Sequence, residues 1–174
     1  MSDDRHVARG MDRCDQCGFE YDLTRAADAG AAIREAAAVF VGLLRGAPDP
    51  SRRREPQLWS PLEYGCHLRD VLLIQRERIL AARRVDVPSF EPMGRDERVE
   101  HDGYAEQDPA DVARQLSDAA QLFANVLVRL EPDDWERTLM YNYPERAERS
   151  LRWTAVHTLH EMHHHLADLR HQLN

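Results

Sequence analysis

The chain has 174 residues and a formal net charge of −8, enough for one domain with a sizeable core. That charge disfavours nucleic acid as a partner, because phosphate contacts need clustered Lys and Arg. Every Lys/Arg-class position is Arg, which excludes a Schiff-base lysine as a catalytic group. No apolar run approaches the ~20 residues that cross a bilayer. The opening stretch MSDDRHVARG lacks the apolar segment of a secretory signal. A cytoplasmic protein with no nucleic-acid or membrane partner is expected. Three cysteines, an odd number, point to free thiols or metal ligands rather than a disulfide framework.

Residues 1–23 form a polar arm containing Cys14-Asp15-Gln16-Cys17-Gly18. The C-x-x-C spacing suits half of a zinc site, and the glycine after it suits the tight turn of a metal knuckle. There is no second pair, so any completing ligands are Cys66 or histidines. Inert thiols are an alternative, and so is a redox pair. A redox pair normally sits at a helix N-terminus, which Phe19-Glu20-Tyr21-Asp22 suits poorly.

From about Thr24 to Leu44, Ile33, Ala37, Phe40, Val41 and Leu44 recur at helical spacing, and Gly46, Pro48 and Pro50 stop the run. Ser60-Pro61-Leu62-Glu63 is a capping box with Pro at the first helical position. This second helix should extend to about Arg84. Tyr64, His67, Val71 and Ile74 share one row of it, so His67 can point inward, with Asp70 one turn on to orient its ring. The segment from Val85 to Gln107 holds Pro88, Pro92, Gly94 and Gly103, and its length suggests a lid or binding loop. Its Arg95, Arg98, His101 and Tyr104 can bind an anionic substrate or simply face solvent.

Asp108-Pro109 opens a third helix, which Val112, Leu116, Leu122 and Val126 carry to about Leu130. A turn from Pro132 to Trp135 and an irregular piece containing Tyr143-Pro144 follow. Ser150 then caps a fourth helix. Four helices with one long crossover imply an all-α four-helix bundle over residues 24–174.

The last helix holds six of the chain's nine histidines, in the series His157, His160, Glu161, His163, His164, His165 and His171, with Asp168 among them. Ala155, Leu159, Met162, Leu166, Leu169 and Leu173 form its core stripe. Glu161 and His165 flank that stripe one turn apart, able to share a metal ion. His160 and His164 form a second such pair, placed farther round toward the face opposite the core. A catalytic zinc usually takes three protein ligands and keeps a position open, and His67 is the candidate third. A satisfied core histidine and a solvated histidine-rich face are the bland readings of the same residues.

Trp59-Ser60-Pro61, the run Cys66-His67-Leu68-Arg69-Asp70 and the run from His163 to Leu169 together resemble the DinB-like four-helix bundles. That superfamily includes the mycothiol-dependent maleylpyruvate isomerases and the bacillithiol S-transferases. The resemblance covers roughly residues 24–174. It implies a divalent metal held by His67, Glu161 and His165, with His160 and His164 as the fallback pair; a second site at Cys14 and Cys17 is suggested by their spacing alone. Many members have histidine where this chain has Glu161, and a carboxylate there resembles the isomerase branch.

Zinc suits two imidazoles and a carboxylate, and nickel, iron or manganese fit the same set. An open position on the metal would lower the pKa of a thiol, which fits a thiol-dependent S-transferase or isomerase acting on a small molecule with a low-molecular-weight thiol as co-reactant. The competing expectation is a non-catalytic metal-binding regulatory or interaction protein that uses the arm as its sensor. A homodimer through the bundle faces is compatible with either.

Overall fold

The computed structural model describes residues 13–142 and 145–173. The MSDDRHVARG stretch and the Tyr143-Pro144 step lie outside the described residues. The helices are α1 (Ala29–Gly46), α2 (Pro61–Ala82), α3 (Arg95–His101), α4 (Pro109–Leu127) and α5 (Leu151–Leu173). Their starts follow the cap chemistry. Ser60 Oγ accepts the Glu63 N–H while Glu63 accepts the Ser60 N–H, so two otherwise unpaired donors are satisfied reciprocally. Asp108 accepts the Asp111 N–H at 2.9 Å at the head of α4, and Ser150 Oγ accepts the Trp153 N–H at 3.2 Å at the head of α5.

The first helix begins later than its apolar spacing predicts. Asp22 takes both the backbone N–H and the hydroxyl of Thr24, and Leu23–Asp28 winds as a 3-10 helix before α1 starts at Ala29.

α4 and α5 each pack against both α1 and α2, so α1 and α2 lie across one diagonal of the bundle and α4 and α5 across the other. Ile33, Phe40 and Leu44 of α1 meet Leu116 and Phe123 of α4 in one continuous core, all nearly inaccessible to solvent. Gly65 of α2 permits a close approach: a Cβ there would stand 3.2 Å from Val112 and 3.3 Å from Leu44.

The all-α expectation is corrected at one place. The segment before α5, predicted as irregular, is an antiparallel hairpin of β1 (Thr138–Asn142) and β2 (Arg146–Ser150), with Met140 opposite Glu148. Leu139 and Tyr141 alternate inward along β1 and pin it to the core. The crossover between α2 and α4 is also structured. It contains α3 and a 3-10 turn, Tyr104–Glu106, each entered through a left-handed glycine, Gly94 at φ +64° and Gly103 at φ +56°.

The described part of the arm folds back on itself. Cys14 N–H donates to Phe19 O and Gly18 N–H to Cys14 O, and Gly18 takes φ +73° to close the turn. Phe19 and Tyr21 then pack against the core. Among the described residues, no helix is long and apolar enough to cross a membrane.

Candidate metal centre

α5 brings its inward edge against α2, and His67, Glu161 and His165 meet there. Their ligand-type atoms all lie within 4.8 Å of one another. Glu161 Oε2 stands 4.0 Å from His67 Nε2 and 3.7 Å from His165 Nε2. One ion bound at ~2.0–2.2 Å by each atom would separate them by about 3.4 Å, so the set needs only a small contraction.

The donor chemistry also fits a cation. Both ring nitrogens of His67 are buried without a hydrogen-bond partner, a costly state for a polar group unless a ligand satisfies it. His165 Nδ1 bonds Asp168 Oδ2 at 2.9 Å, which leaves Nε2 directed at Glu161. Burial disfavours the charged form of His67 and lowers its pKa. Burial opposes charge on His165 too, but Asp168 and Glu161 outweigh it and carry the pKa up to about 9. Burial would raise the Glu161 pKa, yet His160, His165 and His67 hold this carboxyl well below its usual range. The carboxylate that holds a proton on His165 here would hold a metal cation in its place, with that proton released on binding.

A cavity of about 410 Å³ opens beside His165. Its wall includes Trp59 and Tyr64, whose rings lie 6.4 and 5.3 Å from the His165 ring, and Trp59 also lies 5.0 Å from His67. Arg53 and Arg95 reach the same cavity. Arg53 is held by Glu63, and Arg95 lies 5.9 Å over Trp59.

The next face of α5 carries a different set. His160 and His164 were expected to point away from the core, but both are buried, because the arm covers them. Cys14, Cys17, His160 and His164 bring their ligand-type atoms within 4.8 Å of one another, and Cys14 Sγ lies 3.8 Å from His164 Nδ1. The fallback pair therefore does not join His67. It joins the cysteines.

Residues 32–169 match the sequence profile of the DinB superfamily. The chain belongs to that superfamily. Its structure is similar to YfiT from Bacillus subtilis, described as a probable metal-dependent hydrolase with an unusual four-helix bundle topology, at a TM-score of 0.76 and 14% identity over 86% of each chain. No protein of curated function matches the sequence.

Three expectations for the surroundings of this DinB-superfamily site are corrected. Asp70 does not orient His67: its carboxylate is taken by Arg69, Arg98 and the Tyr104 hydroxyl at 2.8, 3.2 and 2.7 Å. Arg98 and Tyr104 thus fasten the crossover to α2, and of the four crossover residues open to either substrate or solvent only Arg95 lines the cavity beside His165. Cys66 is no ligand candidate either. It is fully buried and directed at Tyr104 O and Gln107 Oε1, and burial pushes its thiol up to about 12. Sequence reasoning missed Trp59 and Tyr64 as ring walls of the centre; an aromatic residue directly before the Ser60 cap and another one turn before His67 are the available signal.

Proposed function

We propose that this protein is a metal-dependent enzyme that uses a low-molecular-weight thiol, as an S-transferase or isomerase, on a small-molecule substrate. His67, Glu161 and His165 would hold the divalent metal, zinc being the best match to two imidazoles and one carboxylate. The observation that carries this reading is the convergence of those three side chains, one of which, His165, also lines a cavity able to admit a small molecule. A metal with an open position there would lower the pKa of a thiol and make it a nucleophile.

The chain's own residues prepare that chemistry. Asp168 fixes the His165 ring through Nδ1, and Trp59 with Tyr64 shields His67 and His165 from bulk water. Arg95 lines the cavity with Asp96, 3.9 Å from its carboxylate, so the cavity presents both charges to a substrate. The likeness of the carboxylate position to the isomerase branch supports the thiol-dependent reading.

The test is metal content of untagged protein by plasma mass spectrometry, followed by turnover of electrophiles with mycothiol or another small thiol. Both Glu161→Ala and His67→Ala should lose one metal per chain together with thiol-dependent turnover. Metal content unchanged in both variants would overturn the ligand set. Thiol-independent hydrolysis would instead select the activity described for YfiT. Metal-loaded protein without turnover would select the non-catalytic alternative, which the contact between the arm and α5 favours.

A further inference from the structure

Among the described residues of the arm, Phe19 and Tyr21 are the ones that pack against the core. Small elements with little apolar area of their own are commonly held by a staple. The arm's C-x-x-C turn ends at a left-handed Gly18 and sits directly over α5. We propose that Cys14, Cys17, His160 and His164 form a second, closed zinc site that clamps the arm onto α5.

Four observations converge on it. The four ligand-type atoms lie within 4.8 Å of one another, against about 3.3–3.8 Å for the corners of a zinc tetrahedron with bonds of ~2.1 and ~2.3 Å. His160 is 3% exposed, and neither of its ring nitrogens has a hydrogen-bond partner. That is an orphaned buried imidazole beside two sulfurs. Cys14 is a free cysteine and only 4% exposed, so its sulfur is enclosed with the histidines. His164 presents Nδ1 to Cys14 at 3.8 Å while its Nε2 faces Asp168 at 3.8 Å, so one nitrogen meets the metal and the other an orienting carboxylate.

The charge balance agrees. Two thiolates, two neutral imidazoles and a dication sum to zero, so the buried group costs little to desolvate. Four protein ligands leave no open position, which makes this a structural site. A dithiol redox role lacks its usual setting, since an extended bridge from Arg13 to Glu20 encloses the pair where a helix N-terminus would be needed.

Besides having Asp168 behind both of them, the two centres would touch at Glu161. His160 Nδ1 lies 3.5 Å from Glu161 Oε1, the oxygen turned away from His67 and His165. A zinc on the other nitrogen would fix the proton on Nδ1, directing it at the carboxylate of the three-ligand centre. The arm zinc would then be a positioning device for Glu161 as well as a clamp.

Loading the metal-free full chain with cobalt(II) tests this. Two ions per chain and a thiolate-to-cobalt charge-transfer absorption are expected for the wild type, with Cys14 and Cys17 protected from alkylation only when metal is present. Cys17→Ser should lose one ion and the thiolate absorption. His67→Ala should lose one ion and keep that absorption, which separates failure of the catalytic centre from failure of this one. The clamp is overturned if the wild type shows no thiolate absorption, if metal leaves the alkylation rates unchanged, or if protein purified under reducing conditions contains a Cys14–Cys17 disulfide. The wild-type readings stand even if Cys17→Ser fails to fold.

Discussion

Two candidate ligand sets ride on α5 one residue out of register, Glu161 with His165 and His160 with His164. Adjacent helical residues point about 100° apart, so the two pairs face different neighbours. The first faces α2, which contributes the single histidine His67 and leaves a cavity alongside. The second faces the arm, which contributes two cysteines and covers the pair with Phe19 and Tyr21. The helix offers both neighbours the same i, i+4 geometry. Whether the result is an open three-ligand set or a closed four-ligand set depends on what the neighbour brings.

The largest expected effects come from removing a ligand of one set while watching the other. Glu161→Gln should abolish stoichiometric metal at the three-ligand centre and leave the thiolate signal of the arm site in place. His160→Ala should do the reverse, and should also weaken metal binding at the three-ligand centre, because Glu161 Oε1 loses its neighbour at 3.5 Å. Metal counts and cobalt spectra after dialysis measure both. If each variant emptied both centres, the two faces would be a single site and the contrast between them would fail.

A smaller, graded effect is expected at Asp168, which stands behind both sets. Its Oδ2 bonds His165 Nδ1 at 2.9 Å and faces His164 Nε2 at 3.8 Å. Loss of such an orienting carboxylate typically weakens metal binding about 10- to 100-fold. Asp168→Asn should therefore approach that range at the three-ligand centre and change the arm site less, in the order of the two distances. Chelator competition against each centre gives the two affinities. An equal or larger loss at the arm site would show that Asp168 supports the closed set first.

How far the sequence exposes these sites follows the range of each interaction. The caps at Ser60, Asp108 and Ser150 are local chemistry, and the helices begin where those residues place them. His67 lies in an apolar row and Glu161 with His165 flanks a core stripe, so their meeting is legible once a bundle is assumed. The outward placement of His160 and His164 failed because a helical stripe records only partners within the bundle. What covers the other face is an arm whose Cys14 lies 150 residues before His164. The hairpin was missed because five residues per strand give little period-two signal, and β2 with its Arg146, Glu148 and Arg149 has no continuous apolar face. Asp70 was assigned to His67 by spacing, but Arg98 and Tyr104 arrive from the crossover and claim it.

That last competition yields the smallest predicted effect, and it separates an anchor from a lid. Tyr104 is fully buried and donates to Asp70 Oδ2 at 2.7 Å. A hydrogen bond to a charged group contributes about 1.5–3 kcal/mol, and Arg98 with Arg69 remains on the carboxylate to soften its loss. Tyr104→Phe should therefore cost about 1.5 kcal/mol, near the low end of that range. In a protein of this size that lowers Tm by about 3–6 °C. Metal affinity at either centre should not change, because no Tyr104 atom belongs to either ligand set. Thermal unfolding and metal titration of the same preparation decide the matter. If stability held and the three-ligand centre lost affinity, the crossover would be closing over the metal, and the distinction between an open face of α5 and a closed one would have to include it.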